Sequence, residues 1–315
     1  MLSSPSHADI LDARLRIEPW AHRTPVLTSS TFNLMVNGSL FFKCENFQRA
    51  GAFKFRGACN AVFSLEPDDA KRGVVTHSSG NHAGALALAG RLRGIPVDVV
   101  MPTSAPRVKQ DAVRGYGAKI TFCAPTLAAR EEATAAILKE SGATLVHPFD
   151  HPRVIAGQGT AAMEFMEQVP DLDVLLTPVG GGGLLSGTLL AAKGTRPNMA
   201  VVGCEPANAD DAFRSWKFGE RMPPVPPNSI ADGLLTSLGE LTFPIIRDLV
   251  DDIVLVTEDE IRAATRLLLE RMKIVVEPSS AVPFAAVLFG KYPLQGKRAG
   301  IILSGGNMDL ASFAW

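Results

Sequence analysis

The chain has 315 residues, 46% of them hydrophobic and 20% charged, with a formal net charge of −1. That length allows one large domain or two medium ones around a sizeable core. A near-balanced charge without a basic stripe argues against nucleic acid, and no apolar run approaches the length of a membrane span. The N-terminus is polar (Ser3, Ser4, Ser6, His7, Asp9) and lacks a signal-peptide apolar stretch, so a cytoplasmic location is expected. Cys44, Cys59, Cys123 and Cys204 lie far apart and form no CxxC pair, which argues for reduced thiols rather than a disulfide framework or a zinc site.

Leu40 to Cys44 reads as a strand and Phe53 to Phe63 as a helix. From Gly73 onward, short β-branched runs alternate with Ala/Leu-rich periodic ones. Val74–Thr76, Val97–Met101, Ile120–Phe122 and Thr144–His147 read as strands; Asn81–Arg93, Val108–Tyr116 and Leu127–Glu140 read as the helices between them. The pattern continues with helix Val154–Val169, strand Val174–Thr177, helix Leu184–Lys193 and strand Ala200–Cys204. Glu258–Arg271 and Ala281–Phe289 read as helices and Ala299–Leu303 as a strand. Met222 to Asn228 holds four prolines and is expected to be an ordered surface loop. Such alternation implies an α/β protein with open twisted parallel sheets and helices on both faces, whose ligands bind beyond the carboxyl ends of the strands. Two sheets would give two lobes with a cleft between them.

Four small-polar loops lie near strand ends. In Ala50-Gly51-Ala52-Phe53-Lys54-Phe55-Arg56-Gly57-Ala58, a lysine sits among aromatic and small residues. Apolar surroundings lower a lysine's pKa, and a neutral amine can attack an aldehyde, so the setting suits a Schiff-base lysine. In isolation it reads rather as an ordinary surface run. Gly180 to Gly183 follow a strand and precede a helix, where backbone amides suit a single phosphate; the other reading is a tight turn. Neither the dinucleotide fingerprint nor a P-loop is present. Ser78-Ser79-Gly80-Asn81-His82 could hold a carboxylate and relay a proton, or could simply cap a helix. Ser304, before Gly305-Gly306, reads as a turn on its own. Glu205, Asp210 and Asp211 follow a strand and are either oxygen ligands for a divalent cation or acids favoured at a helix start. His77 and His82 are candidates to line the cleft, whereas His22, His147 and His151 read as structural.

These loops occur together and in order. With Ile230-Ala231-Asp232-Gly233, Val276-Glu277-Pro278 and Leu303-Ser304-Gly305-Gly306-Asn307, the combination resembles the fold-type II pyridoxal-phosphate enzymes of the serine racemase and serine/threonine dehydratase family over nearly the whole chain. The stretch Gly203 to Asp211 looks most like the serine racemase branch. The resemblance implies a large cofactor-binding domain (1–72 and 150–315) and a small mobile domain (73–149). It implies that Lys54 carries the cofactor and that Ser79 faces it across the cofactor plane as the second catalytic group. Phe53, Asn81, Gly180, Gly181, Gly182, Gly183, Leu184, Gly233, Glu277 and Ser304 would complete the cofactor site. Ser78, Ser79, Asn81, His82 and Arg130 would handle substrate carboxylates. Glu205, the Ala209 carbonyl and Asp211 would hold Mg²⁺, or Ca²⁺ or Mn²⁺.

The implied activity is racemisation of serine together with β-elimination from serine and related β-hydroxy amino acids, giving keto acid and ammonia. A dedicated 3-hydroxyaspartate or threonine/serine dehydratase is the alternative within the family, and a non-catalytic amino-acid-binding protein the alternative outside it. A homodimer is the family expectation, and ATP a candidate effector because Arg49-Ala50 partly matches the stretch where relatives contact nucleotide. Ala52, Gly84 and Pro283 depart from the family pattern and bear on substrate preference.

Overall fold

The computed structural model describes residues 3–105, 107–223 and 228–310. Its elements are, in order, α1 (His7–Ile17), β1 (Val26–Thr28), α2 (Ser30–Val36), β2 (Ser39–Cys44), α3 (Lys54–Phe63), α4 (Pro67–Arg72), β3 (Val74–His77), α5 (Asn81–Arg93), β4 (Val97–Pro102), α6 (Arg107–Gly115), β5 (Lys119–Cys123), α7 (Leu127–Ser141) and β6 (Thr144–Leu145). They continue with α8 (Pro152–Gln168), β7 (Val174–Pro178), α9 (Gly183–Thr195), β8 (Ala200–Pro206), α10 (Asp211–Phe218), α11 (Thr242–Leu249), β9 (Asp252–Val256), α12 (Glu258–Leu267), α13 (Pro278–Leu288) and β10 (Arg298–Leu303).

Two sheets form. One has six strands in the order β1-β2-β10-β7-β8-β9, and the other has four in the order β5-β4-β3-β6. The smaller sheet is wholly parallel. The larger is parallel except at its edge, where β1 runs antiparallel to β2. This departs from the all-parallel expectation, and three residues, Val26 to Thr28, are too few to announce a strand in the sequence.

Alternation along the strands sorts side chains to opposite faces of the large sheet. Val174 and Leu176 join Leu40, Phe42, Phe284 and Ile301 in one core, whereas Leu175 joins Phe165, Leu185, Val201 and Ile302 in another. A third core lies against the small sheet, from Val74, Val97, Val99 and Met101 with Leu86 of α5. It also recruits Phe55, Ala58, Cys59 and Val62 of α3. Helix α3 therefore packs on the small sheet while its neighbour β2 belongs to the large one.

Other differences are local. Strand β6 stops at Leu145, two residues short of the expected end. α12 gives way to a π-helical turn over Leu268–Met272. Helix α1, unmarked by a strong apolar period, starts at a capping box in which Ser6 and Asp9 serve each other's backbone amides, and it buries Ile10, Ala13 and Ile17. Most of the proline-rich stretch expected as a loop, 224–227, lies outside the described residues.

Below α3 sits a buried ionic network. Arg56 donates from Nε to Glu45 Oε2 and from an Nη to Glu45 Oε1, both at 2.8 Å. It also reaches Glu164 at 3.2 Å, and Lys43 pairs with the same Glu164. Arg56 is 2% exposed and Glu45 0%. Burial alone would raise the Glu45 carboxyl, but the guanidinium beside it holds it below its ordinary value. Removing one member strands a buried charge. Arg56→Ala is expected to cost about 3–5 kcal/mol, measured as the loss of unfolding free energy in urea; a loss below about 1 kcal/mol, the scale of an exposed pair, would show that the network contributes nothing.

Candidate active site

Parallel strands aim their carboxyl ends the same way, and the chain leaves them in loops. Strand β10 ends into Ser304, β7 into Gly180–Gly183, β3 into Ser78–Gly80, and β6 into His147–Asp150. The loop after β2 leads to Lys54 at the start of α3.

The Lys54 side chain is half-buried. Its Nζ donates to the Pro148 carbonyl at 2.8 Å and lies 5.2 Å from the centre of the Phe53 ring. Burial pulls its pKa down to about 8, with the Glu277 carboxylate acting the other way. Glu277 is 3% exposed and is itself pushed up to about 7, chiefly by burial. Asn81 Nδ2 reaches both its oxygens, at 2.8 and 3.0 Å. Asn81 Oδ1 in turn accepts from Asn307 Nδ2 at 3.0 Å, and that group also donates to the Ala50 carbonyl at 2.7 Å. One chain of hydrogen bonds thus ties α5, α13, the end of β10 and the loop before Lys54.

Gly180 to Gly183 are all buried. A Cβ on Gly180 would stand 2.8 Å from the Leu234 Cα, one on Gly181 would enter the Phe149 ring, and Gly182 has φ +86°. Close approach and a left-handed turn together require glycine here. Among the described residues, the amides of Gly180, Gly181 and Gly182 donate to no backbone or side-chain acceptor. Buried, unspent N–H groups beside a helix start suit an anion, and the residues fit the phosphate of pyridoxal phosphate. Leu184 follows, buried, in the first turn of α9. Nearby, the Gly233 amide donates to Ser279 Oγ at 3.0 Å.

Ser304 Oγ lies 3.0 Å from Ser280 Oγ. Ser280 also meets the Gly305 carbonyl and amide, each at 2.6 Å. A hydroxyl has one proton. If Ser280 gives its own to the carbonyl, Ser304 donates to Ser280; if Ser280 gives it to Ser304, the Ser304 proton is free for a nitrogen. In either arrangement this end of the site offers a hydroxyl, not a carboxylate.

Ser78, Ser79 and Gly80 form the turn into α5, where no side chain caps the helix. Ser78 Oγ accepts from the Gly80 amide at 3.3 Å. His82 is 1% exposed; its Nε2 faces the Val146 carbonyl at 3.2 Å, and its Nδ1 has no partner among the described residues. A carbonyl only accepts, so Nε2 carries the hydrogen and Nδ1 is an acceptor. Burial, with the Lys54 charge next, keeps the ring neutral. So placed, His82 is the wrong polarity to donate to a substrate carboxylate. Arg130 stands on α7, where its Nε meets the Thr126 carbonyl at 3.4 Å and its charge acts on His77.

The acids of the expected metal site lie at the end of β8 and the start of α10. Glu205, fully buried, accepts from the Ala212 and Phe213 amides at 2.9 and 2.8 Å. Asp211 is 5% exposed with an unpartnered Oδ2, and Ala209 is buried beside them. Burial pushes Glu205 well above the carboxylate range and Asp211 up to about 6. Two desolvated acids and an orphan oxygen suit a hard cation. Among the described residues no group of three or more His, Cys, Asp or Glu side chains is placed to hold a metal, so a cation here would need backbone carbonyls or water as further ligands.

Several contributors escaped the motifs: Ser280, the Pro148 carbonyl, Phe149, and Lys109, which pairs with Asp232 at 2.5 Å. The His147-Pro148-Phe149-Asp150 run between a strand and a helix was the available signal.

A lysine amine kept half out of water, a glycine anion cradle and a hydroxyl pair at the ends of neighbouring strands define an enzyme site for an aldehyde cofactor. The chain belongs to the family of pyridoxal-phosphate dependent enzymes, whose model matches residues 17–305. It is 53% identical to serine racemase of Dictyostelium discoideum, over 97% of this chain and 96% of that one. A crystal structure of serine racemase from the same organism superposes with a TM-score of 0.94, covering 98% of this chain and all of that one (100%). It is 49% identical to beta-hydroxyaspartate dehydratase of Paracoccus denitrificans (strain Pd 1222), covering 99% of each. The crystal structure of T.th. threonine deaminase matches with a TM-score of 0.92 at 43% identity, over 99% of this chain and 100% of that one.

An amine with a pKa near 8 is half neutral near pH 8. In cofactor-stripped protein, the rate of imine formation at Lys54 with a simple aldehyde, followed by reduction and peptide mapping, is expected to rise through about pH 8, and Lys54→Ala is expected to lose that modified site. A midpoint near the ordinary lysine value would show that burial does not tune this group.

Proposed function

We propose that this protein is a pyridoxal-phosphate-dependent enzyme that racemises serine and eliminates the β-hydroxyl of serine and related β-hydroxy amino acids, giving keto acid and ammonia. The observation that carries the reading is the desolvated Lys54 amine together with the free amides of Gly180 to Gly182 and the Ser280–Ser304 hydroxyl pair; Lys54, the glycines and Ser304 follow the neighbouring strands β2, β7 and β10. The identities to serine racemase and to beta-hydroxyaspartate dehydratase support it.

Phe53, Asn81, Gly180 to Gly183, Leu184, Gly233, Glu277 and Ser304 would hold the cofactor, with Lys54 as its covalent partner. When bound, the cofactor supplies an electron sink for charge at the substrate α-carbon. Lys54, once its amine is free, is the base that takes the α-proton at Nζ. A hydroxyl rather than a carboxylate at Ser304 favours prompt loss of a β-hydroxyl or return of a proton over prolonged storage of that charge.

Return of the proton from the other side inverts the centre, and Ser79 Oγ is the group assigned to that side. Ser78, Ser79 and Asn81, at the uncapped start of α5, would bind the substrate carboxylate. His82, as an acceptor, orders that wall rather than donating to it. The segment 73–149 would move as the small domain, with Asn81 carrying contacts across the cleft.

A dedicated 3-hydroxyaspartate or threonine dehydratase is the second reading, favoured by the dehydratase and deaminase relatives and by Arg130, whose guanidinium suits a second carboxylate. A homodimer in the cytoplasm completes the proposal, with the exposed Leu15 and Leu34 side chains as apolar surface for a second copy. ATP remains a candidate effector at Arg49-Ala50, where the Arg49 Nε is buried and unpartnered.

Purified protein is to be incubated with L-serine, D-serine, L-threonine and both diastereomers of 3-hydroxyaspartate, with keto acid and chirality assayed. Lys54→Ala is expected to abolish all products. Ser79→Ala is expected to slow racemisation roughly 10²–10⁴-fold, the value of a positioned proton donor, and elimination far less; equal losses in both, or full racemase activity, would remove Ser79 from that role.

Glu205, the Ala209 carbonyl and Asp211 would bind Mg²⁺, Ca²⁺ or Mn²⁺. A ligand of the native state alone stabilises it by about 2.7 kcal/mol at a hundred times its Kd. Chelator-treated protein is expected to gain melting temperature on adding Mg²⁺ and to lose that gain in Asp211→Asn. An unchanged melting temperature with all three cations would remove the site.

A further inference from the structure

The strap from His147 to Asp150 joins β6 to α8 and touches three parts of the site. The Pro148 carbonyl accepts from Lys54 Nζ at 2.8 Å. The Phe149 ring fills the space a side chain at Gly181 would need. The Asp150 carboxylate accepts the amides of Glu240, Leu241 and Thr242 at 2.8, 2.9 and 3.2 Å, where α11 begins. The strap is therefore pinned at its far end, while its near end meets the amine.

Its turn is closed by its own first side chain. His147 Nδ1 accepts from the Asp150 amide at 2.9 Å and from the Phe149 amide at 3.4 Å. Amides only donate, so Nδ1 is the bare nitrogen and Nε2 carries the hydrogen. Pro148 has no N–H of its own and a fixed φ. The direction of its carbonyl is thus set by the peptide unit it shares with the Phe149 amide.

We infer that His147 is a positioning residue: by accepting the Phe149 and Asp150 amides it fixes the Pro148 carbonyl that holds the Lys54 amine in reacting position. The inference rests on Lys54 being the reactive amine, as proposed above. A single acceptor serves the amine in both of its states. The ammonium donates to it, and the neutral amine donates one N–H and keeps its lone pair pointed elsewhere, which is the geometry a nucleophile or base needs.

The surroundings keep the device working across neutral pH. Burial, followed by the neighbouring His77, pushes His147 down to about 4 against the opposing Asp150, with Lys54 and His151 acting in the same direction as His77. Nδ1 stays an acceptor throughout that range. The charged and titratable groups that act on the amine, or on which it acts, are Glu277, His82 and His147. Edge-to-face contacts with His77 at 5.4 Å and Phe149 at 4.6 Å hold the ring in place.

The test uses cofactor-loaded wild type, His147→Ala and His147→Asn. An asparagine oxygen can accept an amide two residues on in an Asx turn, so Asn replaces the acceptor without the ring. His147→Ala is expected to lower kcat for L-serine between about 10- and 10²-fold, the scale of a misplaced reacting group, with little change in KM. It should also move the pH midpoint of the lysine–cofactor absorption band and slow the uptake of added pyridoxal 5′-phosphate by stripped protein. His147→Asn should return all three toward wild type.

An unmoved midpoint and uptake rate in His147→Ala would overturn the inference, and so would a His147→Asn as impaired as the alanine variant with the same melting temperature. Should the alanine variant not fold, the ¹⁵N shifts of His147 in the wild type decide, because a hydrogen on Nδ1 is incompatible with the turn. A wild type with no cofactor band at all would instead sink the earlier functional reading.

Discussion

An ammonium group taken out of water loses hydration that its neighbours must replace, or it sheds its proton. Lys54 is poised between these outcomes. Its neighbours are a carbonyl, an aromatic ring, neutral imidazoles and one carboxyl, Glu277, which is itself held near 7. A freely ionised partner would form a full ion pair and lock the amine in its charged form. Burial holds the Glu277 carboxyl up against Asn81, whose bonds to both its oxygens favour the ionised form. The reactivity of the amine and the ionisation of the acid are therefore two aspects of one balance.

The ionic network under α3 serves the same end from below. Arg56 lies two residues from Lys54, and its double contact with Glu45 anchors the first turn of α3 to the chain leaving β2. A buried pair of this kind adds little net stability over apolar packing, because desolvation offsets the attraction. What it adds is a fixed register. Helix α3 packs on the core of the small sheet yet follows directly from the large one, so Lys54 stands where the two sheets share an element.

The architecture was legible because parallel sheets advertise themselves: β-branched runs at β3, β4, β7, β8 and β10 are short, apolar and spaced by helical periods. The edge strand β1, with three residues, carries no such pattern, and α1 buries only Ile10, Ala13 and Ile17 behind its capping box. At the site, Lys54, the glycine run and Ser304 were visible because their roles need special residue types. The Pro148 carbonyl was not, since a main-chain oxygen leaves no signature in side chains. Polarity was also hidden. That His82 spends its one hydrogen at Nε2 and leaves Nδ1 as an acceptor follows only from the carbonyl opposite Nε2. Ser280 looked like any residue of α13 until the fold set it against Ser304.

The order of synthesis differs sharply from the order of strands in the large sheet. Strand β2 pairs with β10 in register, Ser39 against Arg298 through Cys44 against Leu303, and β10 also carries the neighbour β7. A nascent chain on the ribosome thus holds β2 and β7 without the strand that joins them until β10 has been made. Contacts so distant in sequence are slow to form and leave apolar strand edges open meanwhile. The glycine cradle after β7 and Ser304 after β10 are therefore set side by side only once β10 is in place, and the interval before it is when chaperones have the most to protect.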